Sequence, residues 1–218
     1  RHSHGPCRFP PVAALLPAPL TLGVRPLANS STYPSLIMAR NIEIKAHIDS
    51  VSSLLPKAKA IASEGPIEIF QDDTFFNCEN GRMKLRAFSE GKGELIFYRR
   101  ANQRGPKESF YVLSPTTSPG TLREALSQAY GQAGRVEKHR TLFIVGRTRV
   151  HLDQVKNLGH FLELEVVLQE GESPEAGVQE AHKLMAKLGV EQSQLIDGAY
   201  VDLLSQRGLH AQNAGCPE

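Results

Sequence analysis

The stretch Arg40-Asn41-Ile42-Glu43-Ile44-Lys45-Ala46-His47-Ile48 changes between polar and apolar at every step. A β-strand puts Ile42, Ile44, Ala46 and Ile48 on one face and Asn41, Glu43, Lys45 and His47 on the other. A single strand of this kind is ordinarily half buried, with its polar face in water. Repetition narrows the choice here. Arg82, Lys84 and Arg86 alternate with Met83, Leu85 and Ala87; Lys138 and Arg140 flank His139 and lead into Leu142-Phe143-Ile144-Val145. Arg147, Arg149, His151 and Asp153 alternate with Thr148, Val150 and Leu152, and Phe161, Glu163, Glu165 and Val167 with Leu162, Leu164, Val166 and Leu168. Glu94, Ile96, Tyr98 and Arg100 share a further face, and Lys107 opens the segment after it.

Solvated sheet faces mix Thr, Ser and Gln with both signs of charge, because like charges directly across strands destabilise the pair. Here Arg and Lys are concentrated on several faces, and acids on the first and last strands. Folding them together costs free energy unless groups of opposite sign sit among them. The pattern therefore predicts a sheet closed on itself with its polarity inverted: apolar faces outward under helices, charged faces around a tunnel.

Turn and breaker residues divide the chain to match. Strands are predicted at residues 40–48, 68–77, 82–88, 94–101, 107–114, 135–145, 147–154 and 160–169. Helices are predicted at 50–64, 121–130, 174–188 and 192–204. Asn80-Gly81 is a hairpin signal, Glu90-Gly91-Lys92-Gly93 and Gln103-Arg104-Gly105-Pro106 are turns, and Gly65-Pro66 reads as the stop of the first helix. Pro56 is placed in or near a first turn, or at a kink. Short links between successive strands imply antiparallel pairing, and eight strands close into a barrel that can hold one small ligand. The fold class is thus α+β: an eight-stranded antiparallel β-barrel with a charged interior, covered outside by about four helices.

Counting Lys45, Arg82, Lys84, Arg86, Arg100, Lys107, Lys138, Arg140 and Arg149 against Glu43, Asp153, Glu163 and Glu165 gives a lumen of about +5. The rest of the chain does not share this character. Residues 1–37 contain Arg1, Arg8, Arg25 and no acid, while residues 38–218 hold 22 basic against 23 acidic side chains. Nonspecific binding of a nucleic acid polymer finds no support in that balance. An electropositive hole in a mildly acidic protein suits a small polyanion, and Arg forks suit phosphate oxygens. Carboxylates beside a phosphate cradle suggest oxygen ligands for Mg²⁺ or Mn²⁺.

Residues 1–37 hold seven of the fourteen prolines and are set apart from the fold, either as an organelle-targeting leader or as an incidental or disordered arm before Met38. The second reading is preferred, because Pro17 and Pro19 break Val12-Ala13-Ala14-Leu15-Leu16 before an amphipathic helix can form. The expected body spans 38–207, with 208–218 as a disordered tail. No apolar run approaches the roughly 20 residues needed to span a bilayer. Three cysteines without a CxxC pair argue against a disulfide framework and fit a reducing compartment: cytoplasmic, or mitochondrial if residues 1–37 are a leader. A monomer or homodimer is expected.

The ordered set of these segments resembles the CYTH family, the triphosphate tunnel metalloenzymes, which include class IV adenylate cyclases and thiamine triphosphatases. Its opening Glu-x-Glu-x-Lys signature is read here in Asn41-Ile42-Glu43-Ile44-Lys45. Gln71-Asp72-Asp73-Thr74-Phe75-Phe76, Arg82-Met83-Lys84-Leu85-Arg86, Tyr98-Arg99-Arg100, Lys138-His139-Arg140, Arg149 to Asp153 and Phe161-Leu162-Glu163-Leu164-Glu165 continue the match. The spacing of Lys138, Arg140, Asp153 and Glu163 is closer to the class IV cyclase branch.

The resemblance implies a metal-dependent tunnel acting on a triphosphate. Glu43, Glu163 and Glu165 would be metal ligands, with Asp153 a ligand or a water-orienting group. Lys84, Arg86, Lys138 and Arg140 would hold phosphates, helped by Arg100, Lys107 and Arg149. Lys45 would touch phosphate or serve in proton transfer. Asn41 departs from the signature, and a neutral amide is a weak ligand, which bears on a second metal.

Three functions are compatible with these residues: a phosphohydrolase acting on inorganic triphosphate or a triphosphorylated metabolite, a cyclase making cyclic AMP and pyrophosphate from ATP, and a non-catalytic polyphosphate- or nucleotide-binding module. The first is preferred, since no adenine pocket is recognisable. No Walker-type loop is present. His47 and His151 are read as hydrogen-bonding supports rather than acid or base, and Tyr200, Val201 and Leu204 as helix packing.

Overall fold

The computed structural model describes residues 39–89 and 91–213. The leader reading for residues 1–37, the start at Met38, the Glu90 turn residue and the end of the expected tail lie outside them. In chain order the elements are β1 (Ala39–Ile48), α1 (Val51–Ile61), β2 (Glu64–Phe76), β3 (Arg82–Ser89), β4 (Lys92–Arg100), β5 (Lys107–Thr116), α2 (Pro119–Tyr130), β6 (Gln132–Val145), β7 (Thr148–Val155), β8 (Gly159–Val167), α3 (Pro174–Leu188) and α4 (Tyr200–Asn213). All eight strand pairs are antiparallel, and the sheet closes in the order β1-β5-β4-β3-β2-β6-β7-β8.

Closure fixes which face is inside. The apolar faces of β1, β7 and β8 point outward and are buried with Leu54 and Ala58 of α1 and Ala181, Leu184, Met185 and Leu188 of α3. Fully burying one such aliphatic side chain contributes about 1.5–3 kcal/mol, so this outer layer is a principal source of the barrel's stability. At Gly177 α3 lies tight against β1: a Cβ there would meet Ile42 Cγ1 at 2.6 Å. α2 packs against β2, β3 and β4, and α4 against β6.

The elements depart from expectation at several points. α1 is capped by Ser50, whose Oγ accepts from the Ser53 amide, but it ends at Ile61, with Pro56 inside it. Gly65-Pro66 does not stop that helix. It lies in β2, where the register shifts between Glu64 and Ile67, and a Cβ on Gly65 would meet the Leu142 carbonyl oxygen at 2.6 Å. The predicted helix over 192–204 is two pieces: a single 3₁₀ turn at Gln192–Gln194, then α4 from Tyr200. Between them Ile196 donates its amide to the Lys45 carbonyl, and Gly198 has φ 76°. The chain is pinned to β1 there instead of coiling. α4 continues to Asn213, beyond the expected end of the body at 207. Among the described residues no helix is long and apolar enough to cross a membrane.

Candidate functional site

The inward faces of the strands enclose a cavity of about 410 Å³. Glu43, Lys45, Lys84, Arg86, Arg100, Lys138, Arg140, Arg149, Glu163 and Glu165 all line it. Two further acids, Asp73 and Glu94, belong to the same wall. The lumen is therefore less positive than the +5 expected: seven cationic and five acidic side chains line it. Arg147, which continues the alternation in sequence, lies outside it. It sits in the β6–β7 turn and pairs with Glu172 and Glu180 near α3.

The cations are held by three buried carboxylate centres. Asp73 accepts from Lys84 at 2.7 Å and from Arg86 at 2.7 and 2.8 Å. Burial alone would raise its carboxyl, but Arg86 and Lys84 hold it well below the usual carboxylate range. Burial brings Lys84 down to about 8, with Arg86 beside it pushing the same way against Asp73. Asp153 is the second centre and is fully buried. It accepts from Lys138 at 2.8 Å, from Arg140 at 2.6 and 2.7 Å, and from the Tyr200 hydroxyl at 3.0 Å. Against its burial, Arg140 and Lys138 keep it deeply ionised.

The third centre is the acidic side of β1 and β8. Glu163 Oε2 is 3.2 Å from Arg140 Nη2 and 3.8 Å from Lys45 Nζ. Glu165 Oε2 is 2.7 Å from Arg149 Nη2, and Glu43 Oε1 lies 3.5 Å from Arg100 Nη1 and 3.6 Å from Lys45 Nζ. His151, opposite Glu163 in the β7–β8 register, points into this group. Burial and the neighbouring Arg140 push its imidazole well below 6.5, so it is neutral.

Two expected site residues are set back from the cavity. Asp153 stands behind Lys138 and Arg140 and braces both. Lys107 is buried, with Nζ 3.3 Å from the Gln103 carbonyl, and burial brings it down to about 8. Arg82 forks onto Asp202 of α4. His47 is exposed, its ring edge against Phe161.

The interior is not charged throughout. At the α4 end Phe75, Val136 and Phe161 cluster with Ala199, Tyr200 and Val201, and Tyr200 takes Lys45 Nζ over its ring at 4.2 Å. Tyr200 is thus a wall of the site as well as a packing residue. At the opposite end Ile69, Phe88, Leu113 and Leu142 also line the cavity, and Leu113 is 48% exposed. The cavity runs from an aromatic plug, through an ionic waist, to an apolar mouth.

Sequence reasoning passed over Asp73, Tyr111 and the tunnel-wall role of Tyr200. Parity could have found Asp73, which shares the inward face of β2 with Ile69, Gln71 and Phe75.

Two buried atoms of this wall, Asn41 Oδ1 and His151 Nδ1, have no hydrogen-bond partner among the described residues, and Glu43 Oε1 and Arg100 Nη1 meet only as a loose ion pair at 3.5 Å. A buried polar group left unpaired costs about 1–3 kcal/mol, so a group of them on one cavity wall marks a place for a ligand. The donor set of carboxylate, amide and imidazole can take a divalent cation, and the cations facing it can take phosphate oxygens.

Comparison with known proteins agrees with this geometry. The PH1012 protein of Pyrococcus horikoshii OT3 has the same fold, with a TM-score of 0.67 at 20% identity over 75% of this chain and 98% of that one. A candidate adenylate cyclase from Vibrio parahaemolyticus gives a TM-score of 0.56 at 17% identity, covering 76% of this chain and 97% of its own. HpAC1 from Hippeastrum, whose structure is described as revealing a dominant triphosphatase activity, gives 0.56 at 16% identity, covering 77% and 96%. No curated protein matches the sequence. The family model for the CYTH domain matches residues 39–200, which hold all eight strands of the barrel, and the chain belongs to that family.

Proposed function

We propose that this protein is a divalent-metal-dependent phosphohydrolase that draws a triphosphate into the tunnel and releases its terminal phosphoryl group as orthophosphate. The observation that carries the reading is the ionic waist: seven cations converge on one cavity about 410 Å³ in volume, with Glu43, Glu163 and Glu165 among them. HpAC1, a structural neighbour with a dominant triphosphatase activity, points the same way.

In this reading Lys84, Arg86, Lys138 and Arg140 grip the phosphate chain, with Arg100 and Arg149 toward its flanks and Lys107 adding charge from behind. Asp73 and Asp153 fix those cations in place, so little reorganisation is needed as charge shifts along the phosphoryl-transfer path. Glu43, Glu163 and Glu165 would hold Mg²⁺ or Mn²⁺, which when bound screens the phosphate charge and polarises the attacked phosphorus. Asp153 acts through Lys138 and Arg140, while Lys45, between Glu43 and Glu163, is placed to touch phosphate or to pass a proton to the leaving oxygen. The apolar mouth at Ile69, Phe88, Leu113 and Leu142 favours a triphosphorylated metabolite over inorganic triphosphate, since an organic group can rest there while the phosphates lie in the waist.

Phosphorus NMR of tripolyphosphate and ATP incubated with the protein and Mg²⁺ or Mn²⁺ tests this. Orthophosphate is expected. Cyclic AMP and pyrophosphate as the sole products from ATP would replace the hydrolase with a class IV-type cyclase. Asn41 in the signature position supports a second reading, a polyphosphate- or nucleotide-binding module. Tripolyphosphate bound but unchanged at every metal concentration, with turnover appearing in Asn41→Glu, would establish it.

A further inference from the structure

We propose that His151 is itself a metal ligand through Nδ1, completing with Glu163 and Glu165 a mixed nitrogen–oxygen site that prefers a transition ion such as Mn²⁺ over Mg²⁺. The inference rests on the reading that the tunnel takes a divalent cation, and it goes beyond the all-carboxylate set that the family resemblance implies.

One donor atom from each of His151, Glu163 and Glu165 lies within 4.8 Å of the other two. Two ligands each about 2.1 Å from a common ion stand at most about 4.2 Å apart, so the group needs to contract by only about half an ångström. Each carboxylate engages its cation through Oε2, Glu163 with Arg140 and Glu165 with Arg149, leaving Oε1 free of hydrogen bonds to the described residues. His151 is 3% exposed, and its Nδ1 has no hydrogen-bond partner among those residues. Its nearest acidic atom is Glu165 Oε1 at 3.9 Å, beyond hydrogen-bonding distance. A histidine kept only for structure would have used that nitrogen.

A departure in β1, which pairs with the other edge of β8, bears on the same wall. β1 offers Asn41 where a carboxylate would be the stronger ligand, and the buried Asn41 Oδ1 is likewise unpartnered. An imidazole from β7 adds a good donor without adding charge. Imidazole nitrogen suits borderline transition ions, whereas Mg²⁺ favours oxygen donors and retained water, so the substitution in β1 and the histidine in β7 together shift the selectivity.

The test uses Mn²⁺ alone with the full chain, without any phosphate compound. Electron paramagnetic resonance counts bound Mn²⁺, and its electron spin-echo modulation detects a directly coordinated ¹⁴N. Nitrogen modulation is expected in the unaltered protein and lost in His151→Asn, with Mn²⁺ affinity falling about tenfold or more and Mg²⁺ affinity changing much less. The unaltered protein's spectrum stands on its own if that variant folds poorly, and His139→Asn controls for the exposed His139–Glu68 pair. Bound Mn²⁺ without nitrogen modulation, or modulation that survives His151→Asn, overturns the histidine ligand and leaves the metal-dependent hydrolase standing. No bound Mn²⁺ at millimolar concentration likewise overturns the histidine site, while the hydrolase stands or falls on the products seen by phosphorus NMR.

Discussion

Tyr200 at the start of α4 donates its hydroxyl to Asp153 Oδ2 on β7 across 3.0 Å, tying the last helix to a carboxylate with no exposed surface. Burial and the charge of Asp153 push the phenol well above 10, so it is a donor at neutral pH. Tyr200→Phe keeps the ring under Lys45 and against Phe161 but removes this bond. A hydrogen bond to a charged acceptor is worth about 1.5–3 kcal/mol, and urea unfolding should show a loss in that range with the fold intact by circular dichroism.

Asp153→Asn should be more damaging. The amide cannot neutralise Lys138 and Arg140, which are both buried, and removing one partner of a buried ionic group costs about 3–5 kcal/mol. The stability loss should exceed that of Tyr200→Phe by denaturant titration. Activity should fall through a raised KM, because the two cations it braces would no longer be fixed for phosphate.

The charged alternation of β1, β3, β7 and β8 made both the closed sheet and its inverted polarity legible. Glu43, Lys45, Lys84, Arg86, Arg149 and Glu163 fall inside because a period of two leaves them no other face once the apolar partners are covered by α1, α2 and α3. β2 was harder, since its inward face mixes Ile69 and Phe75 with Gln71 and Asp73, and adjacent Asp72 and Asp73 point to opposite sides. Asp72 instead pairs outside with Arg123 and Arg135. The break before Tyr200 was hidden for another reason. It depends on the Ile196–Lys45 backbone bond, a contact across the fold that no local propensity encodes. The unpaired Nδ1 of His151 likewise exists only once β7 and β8 are side by side.

Acid should unfold the protein through its buried carboxylates. Asp73, Asp153 and Glu163 all have folded values well below their ordinary ones because of adjacent Arg and Lys. The unfolded chain binds more protons than the folded one in the interval between those values. The stabilisation is complete above the ordinary carboxylate range near pH 4 and erodes as pH falls through that range toward the folded values. Melting temperature measured from pH 7 to 3 should hold steadier above pH 5 than below it, and Asp153→Asn should flatten the acid limb.

Alkaline pH should weaken phosphate binding before it touches the fold. Lys84 and Lys107 both titrate at about 8, brought down chiefly by burial, so each loses its charge over the range from pH 7 to 9. Binding of a triphosphate that needs them protonated must then draw protons from the buffer. Its affinity should then fall above pH 8 by up to about tenfold per pH unit for each lysine involved. Calorimetry of tripolyphosphate in buffers of different ionisation enthalpy reads that uptake directly. Lys84→Arg keeps a permanent charge at the same position and should reduce the slope; an unchanged slope would assign the proton elsewhere.

Asn41→Glu restores the signature acid in a position that is only 3% exposed, next to Glu43 and Glu165 on the same wall. Without a cation, the added carboxylate is buried among like charges, and the variant should melt below the unaltered protein in EDTA. With Mn²⁺ or Mg²⁺ the order should reverse, because a ligand that binds only the folded state stabilises it by RT ln(1 + [L]/Kd), about 2.7 kcal/mol at a hundredfold excess over Kd. Thermal melts across a metal titration distinguish this from a simple loss of packing, in which the variant stays less stable at every metal concentration. The crossover concentration also reports how much of the metal affinity the asparagine has given up, and so how far the site depends on its remaining carboxylates and on His151.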